Sequence, residues 1–268
     1  MGVAGLNLLL EKTVTAVKNE SMLRIRYGLA ICMVLLLAGA ALGQVGRGFG
    51  RFRGFNRYFQ NTPPDTEFIF ARWQYGDGGD GWAHDYPDAE EHLNQVMGEA
   101  TILDVDQMSY RIVEIDSEEI FDYPFGYISE PGRMWLTELE VQNFREYVDR
   151  GGMVMLDDFN GPQHFATMEA NLRRVFPERD LVLLNNGHNM LHTFYDIDSL
   201  YIESPYAVGE DAVFYGIEND AGDLSVIICH NNDVGDFWEL IDQRAYPLRP
   251  STEALRLGIN IVLYAMTH

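Results

Sequence analysis

The sequence predicts one α/β domain: a mostly parallel sheet covered by helices on both faces, with antiparallel strands added toward the C-terminus. Three observations predict it. Short apolar runs alternate with amphipathic stretches of helical period. The last third is richer in strand-like runs than in helical ones. The 204 residues Asp65–His268 suffice for one sizeable core, and no second boundary interrupts them.

The expected strands are Phe68–Tyr75, Tyr110–Ile115, Tyr123–Ser129, Met153–Asp157, Leu181–Leu184, Ala212–Ile217 and Leu224–His230. Four helices are expected between and after them. Ala89, Leu93, Val96 and Met97 share one face, and Gly98 reads as the stop. Thr137-x-x-Glu140 is a capping box, in which hydroxyl and carboxylate satisfy orphan amides reciprocally; Val141, Phe144 and Val148 follow on the buried side, and Gly151 ends that helix. Phe165, Met168, Leu172 and Phe176 mark a third helix stopped by Pro177, and Leu255, Gly258, Ile259, Val262 and Met266 the last.

The N-terminal part is different. Residues 1–43 read as an extension followed by a signal peptide that begins at Met22. Arg24 and Arg26 precede an apolar run from Tyr27 to Leu42, and Ala41-Leu42-Gly43 offers a cleavage site before Gln44. That run is shorter than the ~20 residues of a membrane span, so a cleaved signal is expected; an uncleaved anchor is the alternative. Residues 44–64, rich in Gly, Arg and Phe and ending in Pro63-Pro64, read as a tether. The expected location is therefore periplasmic or extracellular.

Charge inverts at Asp65. The chain has 19 basic and 41 acidic residues; eight and two of them precede Asp65, leaving 11 against 39, a net of −28. Such a surface repels phosphate backbones and excludes nucleic acid as a partner. It suits solubility, cations or basic partners, or a saline habitat; the expected partner is a polar small molecule or an envelope protein, with membrane contact only through an uncleaved N-terminal segment. Cys32 lies in the signal segment and Cys229 in the apolar run VIIC, so the mature chain has no intramolecular disulfide and one buried, inert thiol.

The runs FARWQY (Phe70–Tyr75), YPFGYI (Tyr123–Ile128), GGMVMLDD (Gly151–Asp158), GHNMLHTFYDI (Gly187–Ile197), HNNDVGDFWE (His230–Glu239) and LGINIVLYAMT (Leu257–Thr267), with the loop around Trp82, resemble a bacterial family, domain of unknown function number 4159. The resemblance extends from Phe68 to Thr267. It implies kinship to the class I glutamine-amidotransferase-like superfamily, which includes the ThuA-like proteins, and hence a flavodoxin-like three-layer sandwich. It implies no activity. Amidotransferase chemistry needs a cysteine on a glycine-flanked strand-to-helix turn, and this chain has neither G-x-C-x-G nor G-x-S-x-G.

In parallel sheets ligands bind beyond the carboxyl ends of the strands, which turns strand ends into candidate sites. Gly76-Asp77-Gly78-Gly79-Asp80-Gly81 matches G-x-G-x-x-G, but no helix opens directly after it, so it reads as a rim loop and no nucleotide cofactor is predicted. Asp157 and Asp158 end a strand; neighbours on a strand point to opposite faces, so at most one enters a given pocket, and the other reading is an N-cap for the segment from Pro162. They are catalytic candidates together with His188 and His192, whose four-residue spacing would face both rings one way on a helix. His188, His192 and Asp158 form a conceivable divalent-metal set. Arg72, Tyr75, Trp82, His84, His230, Asn231, Asn232, Asp233 and Trp238 are candidates to line a polar and aromatic cleft. Three functions stay open: a non-catalytic ligand-binding or interaction module of the cell envelope, a metal- or carboxylate-assisted hydrolase acting on a glycan- or amide-like substrate, and a structural component of an envelope assembly.

Overall fold

The computed structural model describes residues 62–76, 81–200, 202 and 211–268. The expected signal segment, most of the tether and Asp77–Asp80 of the glycine-rich loop lie outside these residues.

Seven strands form one sheet in the order β2-β1-β3-β4-β7-β6-β5. They are β1 (Phe70–Gln74), β2 (Tyr110–Glu114), β3 (Phe125–Ser129), β4 (Met153–Phe159), β5 (Val182–Leu183), β6 (Val213–Glu218) and β7 (Leu224–His230). The first five positions in that order run parallel; β6 is antiparallel to β7, and β5 to β6. Every residue of β3 and β4 is buried, as strands covered on both faces must be.

The helices are α1 (Asp88–Ala100), α2 (Glu138–Asp149), α3 (Gly161–Val175), α4 (Val234–Glu239) and α5 (Leu248–Ala265). α1, α4 and α5 contact one another, and α2 contacts α3, so the sheet lies between two helical groups. This is a mixed α/β, flavodoxin-like sandwich. The capping box forms: Thr137 Oγ1 accepts from the Glu140 amide at 3.2 Å, and Glu140 Oε2 accepts from the Thr137 amide at 2.6 Å. Glu140 Oε1 also accepts from the Gly76 amide at 2.7 Å, which ties the chain leaving β1 to the start of α2.

Boundaries differ where tertiary packing overrides local signals. α1 runs two residues past Gly98, because one glycine costs a helix only ~1 kcal/mol relative to alanine. β4 continues through Asp157 and Asp158 to Phe159, with a register shift against β7 after Leu156. Neither aspartate caps α3; Asn160 stands at that position. No helix among the described residues is long and apolar enough to cross a membrane.

Candidate binding site at the carboxyl edge of the sheet

The chain leaves β1 toward β2 on one side, while β3 lies on the other, so connections diverge above β1 and β3. Arg72 on β1 builds the first wall. It is fully buried, and its Nε meets Glu90 of α1. Its Nη1 donates to the carbonyls of Trp82 (3.0 Å) and His84 (2.5 Å). Burial works against the guanidinium charge, but Glu90 outweighs burial and holds its pKa above the ordinary value. One buried cation thus fixes the turn that presents His84 and Asp85 to the edge. Tyr75 fixes the second wall, donating from its hydroxyl to the carbonyls of Ser129 (3.2 Å) and Glu130 (3.1 Å).

These walls enclose a cavity of about 350 Å³ bordered by His84, Asp85, Glu130, Arg133, Asp158, His164, Asp233 and Asp236, with Phe159 and Asn160. His84 Nδ1 lies 3.0 Å from Glu130 Oε1 and 3.6 Å from Asp158 Oδ2. Hydrogen bonds to Asp158 and then Glu130 raise the imidazole pKa to about 10, so His84 is a cation at neutral pH. Ser129 Oγ donates to Asp158 Oδ2 at 3.2 Å, and Arg133 Nε meets Glu130 Oε2 at 2.6 Å.

A second group lies beside the first. Asp85, Asp233 and Asp236 bring carboxylate oxygens within 4.8 Å of one another. Burial and then the Asp158 charge push Asp85 well above the usual carboxylate range; burial and then Asp85 do the same to Asp233. Asp236 is raised mainly by burial, although Tyr246 donates to it. Asp85 Oδ2 is completely buried and receives no hydrogen bond. Backbone geometry marks the same place. Asp85 (φ 63°), Glu130 (φ 49°), Asp158 (φ 59°) and Asn231 (φ 54°) are non-glycine residues in the left-handed region, and all four stand at this edge.

The expected residues fall into three sets. Asp158, His84 and Asp233 reach the cavity. Asp157 does not: it is fully buried and accepts from the amides of Val234 (3.1 Å) and Gly235 (2.7 Å) and from the Tyr127 hydroxyl (3.0 Å). It receives the first two amides of α4, whose N-cap is Asp233, and burial, against those amides, leaves its pKa at about 6. A side chain at Gly235 would come within 2.5 Å of Tyr127 Oη, so only glycine lets the helix start approach this closely. Arg72, Tyr75, Trp82 and Trp238 are buried scaffold; the Trp238 indole donates to Ala254 O at 2.9 Å. The aromatic wall expected from them does not form, and carboxylates take its place. His230 packs between Phe159 and Phe165, while Asn231 Oδ1 accepts from the Gly161 amide at 2.9 Å. Asn232 is fully buried, its Oδ1 accepting from the Asp233 amide.

His188 and His192 lie elsewhere. The His188 ring is 6.0 Å from that of Tyr264, whose hydroxyl accepts from the Leu224 amide at the amino end of β7. The carboxyl end of that strand is ~20 Å farther on at about 3.3 Å per residue. His192 instead bonds Asp196 (3.1 Å) and Asn186 O (2.9 Å). The set His188, His192 and Asp158 therefore does not converge on one ion.

Sequence reasoning missed Asp85, Glu130, Arg133, His164 and Asp236. A signal existed for Glu130: Glu-Pro-Gly directly follows β3, a turn at a strand's carboxyl end. A larger cavity of about 600 Å³ lies between Asp196, Asp198 and Ser199 and the first turns of α5, but Arg256 and Glu253 on its wall pair with each other at 3.1 Å. The strand-edge cavity has the less compensated charge and the strained backbone, and it is the better site. Cys229 is buried with its thiol pKa pushed well up, chiefly by burial.

No curated protein matches the chain. The profile of one protein family, "domain of unknown function (DUF4159)", matches residues 69–266, which covers all seven strands and five helices described above, and the chain belongs to that family.

Proposed function

We infer that the domain is an exported, non-catalytic module of the cell envelope that binds a small cationic or cation-bearing polar ligand in the strand-edge cavity. The observation that carries this reading is the charge inside it: five carboxylates (Asp85, Glu130, Asp158, Asp233 and Asp236) border one space with Arg133 as the sole permanently charged base among the described lining residues. Packing like charges raises their free energy, and a bound cation relieves it. Ser129 is buried with its hydroxyl bonded to Asp158, and Cys229 is buried beside Asp157, so neither offers a nucleophile to the cavity, which favours binding over covalent catalysis. Kinship to the glutamine-amidotransferase-like and ThuA-like proteins belongs to the same proposal; the strand order supports it, and the absent nucleophile turn accounts for lost chemistry on a kept scaffold. Export rests on the apolar segment after Arg24 and Arg26.

Calorimetric titration of the full chain with spermidine, divalent cations, neutral sugars and phosphate tests the reading. Cations are expected to bind and phosphate is not, and Asp233→Asn with Asp236→Asn should weaken cation binding at least tenfold. Sugar binding that these substitutions leave untouched, or no cation binding of any kind, would overturn it.

A further inference from the structure

We propose that His84, Glu130 and Asp158 form a binding site for a divalent transition-metal ion at the mouth of this cavity; the inference rests on reading the cavity as a cation pocket and names the cation.

Three side chains from three parts of the strand edge converge here: His84 in the segment after β1, Glu130 directly after β3, and Asp158 near the carboxyl end of β4. One ligand atom from each lies within 4.8 Å of the other two. Their spacing is informative. Tetrahedral ligands at ~2.0–2.1 Å from zinc stand roughly 3.3–3.4 Å from one another. The distances from His84 Nδ1 to the two carboxylates, 3.0 and 3.6 Å, bracket that separation.

The donor set selects the ion. One imidazole nitrogen with two carboxylate oxygens suits zinc, manganese, cobalt or iron, whereas calcium and magnesium prefer oxygen alone. Each ligand is also held from behind. Arg72 grips the His84 carbonyl, Ser129 donates to Asp158, and Arg133 meets Glu130. Such supporting contacts orient metal ligands before the ion arrives. The His84 side chain is 46 % exposed, so the site opens to the cavity and leaves coordination positions for water or a ligand. Asp85, Asp233 and Asp236 border the same cavity and add negative potential without being needed as ligands.

The test uses the full chain, stripped with chelator and titrated with Co²⁺, with visible absorption as readout. About one equivalent of Co²⁺ should give intense ligand-field bands, and Zn²⁺ should abolish them by displacement. His84→Ala should lose the bands, and Glu130→Gln, which preserves shape, should weaken Co²⁺ binding 10- to 100-fold with an unchanged circular dichroism spectrum. Co²⁺ bands that persist in His84→Ala would overturn the assignment. If spermidine binds the cavity while Co²⁺ does not, the metal site falls and the cation pocket stands. If neither binds, both fall.

Discussion

Asp157 and Asp158 are neighbours in one strand, yet they occupy opposite kinds of surroundings. Asp157 is enclosed: two helix amides and a phenol surround its carboxylate, and no solvent reaches it. Asp158 faces a cavity in which other carboxylates outnumber the bases. The same chemical group is enclosed scaffold in one place and cavity wall in the other. What separates them is whether the side chain turns into the packed interior or toward the cavity, and sequence position alone does not reveal that.

The comparison can be broken most strongly through the scaffold side. Arg72→Leu leaves Glu90 buried without its partner and releases the carbonyls of Trp82 and His84; a loss of about 3–5 kcal/mol is expected in urea denaturation. A loss below 1 kcal/mol would mean that the buried pair does not hold this wall. Asp157→Ala strands two amides at the start of α4 and should cost about 2–3 kcal/mol, measured the same way. A near-neutral result would remove the distinction drawn between the two aspartates.

Proton linkage sharpens it next. Asp157, Asp85, Asp233 and Asp236 all have pKa values raised on folding, so between their ordinary range and their folded values the native state holds more protons than the unfolded chain. Stability must fall as pH rises through that window, from about pH 4 to pH 6 and beyond. His84 adds the same sign: its contribution is complete below about pH 6.5 and is lost as pH climbs to about 10. Thermal midpoints in chelator should therefore be higher at pH 5.5 than at pH 8. The reverse order would show that the cavity carboxylates are already compensated. Asp149 and Glu178, whose pKa values their Arg partners lower, work the other way, and only at more acidic pH.

The smallest effect is expected at Asp158→Asn. Asparagine tolerates the left-handed backbone as aspartate does, and one charge leaves a crowded site, so stability should change by no more than about 0.5 kcal/mol. Cation binding should nevertheless fall at least tenfold by calorimetry. A large loss of stability would place Asp158 with Asp157 in the scaffold.

Much of the fold was legible because period is a local property. β7 and the capping box of α2 were read from residues that sit next to one another in the chain. The rule that sites gather at strand ends also pointed to Asp158 and Asp233. It could not find Asp85 or Glu130, since a lone carboxylate has no spacing to recognise. It misled at His188 and His192 for two physical reasons. Their four-residue spacing aligns rings on an α-helix, but His188 caps and His192 ends a 3-10 turn, Asn189–His192, where three residues complete a turn. The chain after Leu184 also folds back toward Tyr264 rather than staying at the strand end. The aromatic residues misled because Trp82 and Trp238 read alike as cleft or core until their neighbours are known.

The grip of Arg72 on the turn that carries His84 has a consequence for traffic. Swinging that turn outward would strip a fully buried guanidinium of two of its acceptors, so the turn is a fixed wall and not a moving lid. A ligand therefore meets a fixed wall here, with the half-exposed side chains of His84 and Arg133 on either side of Glu130.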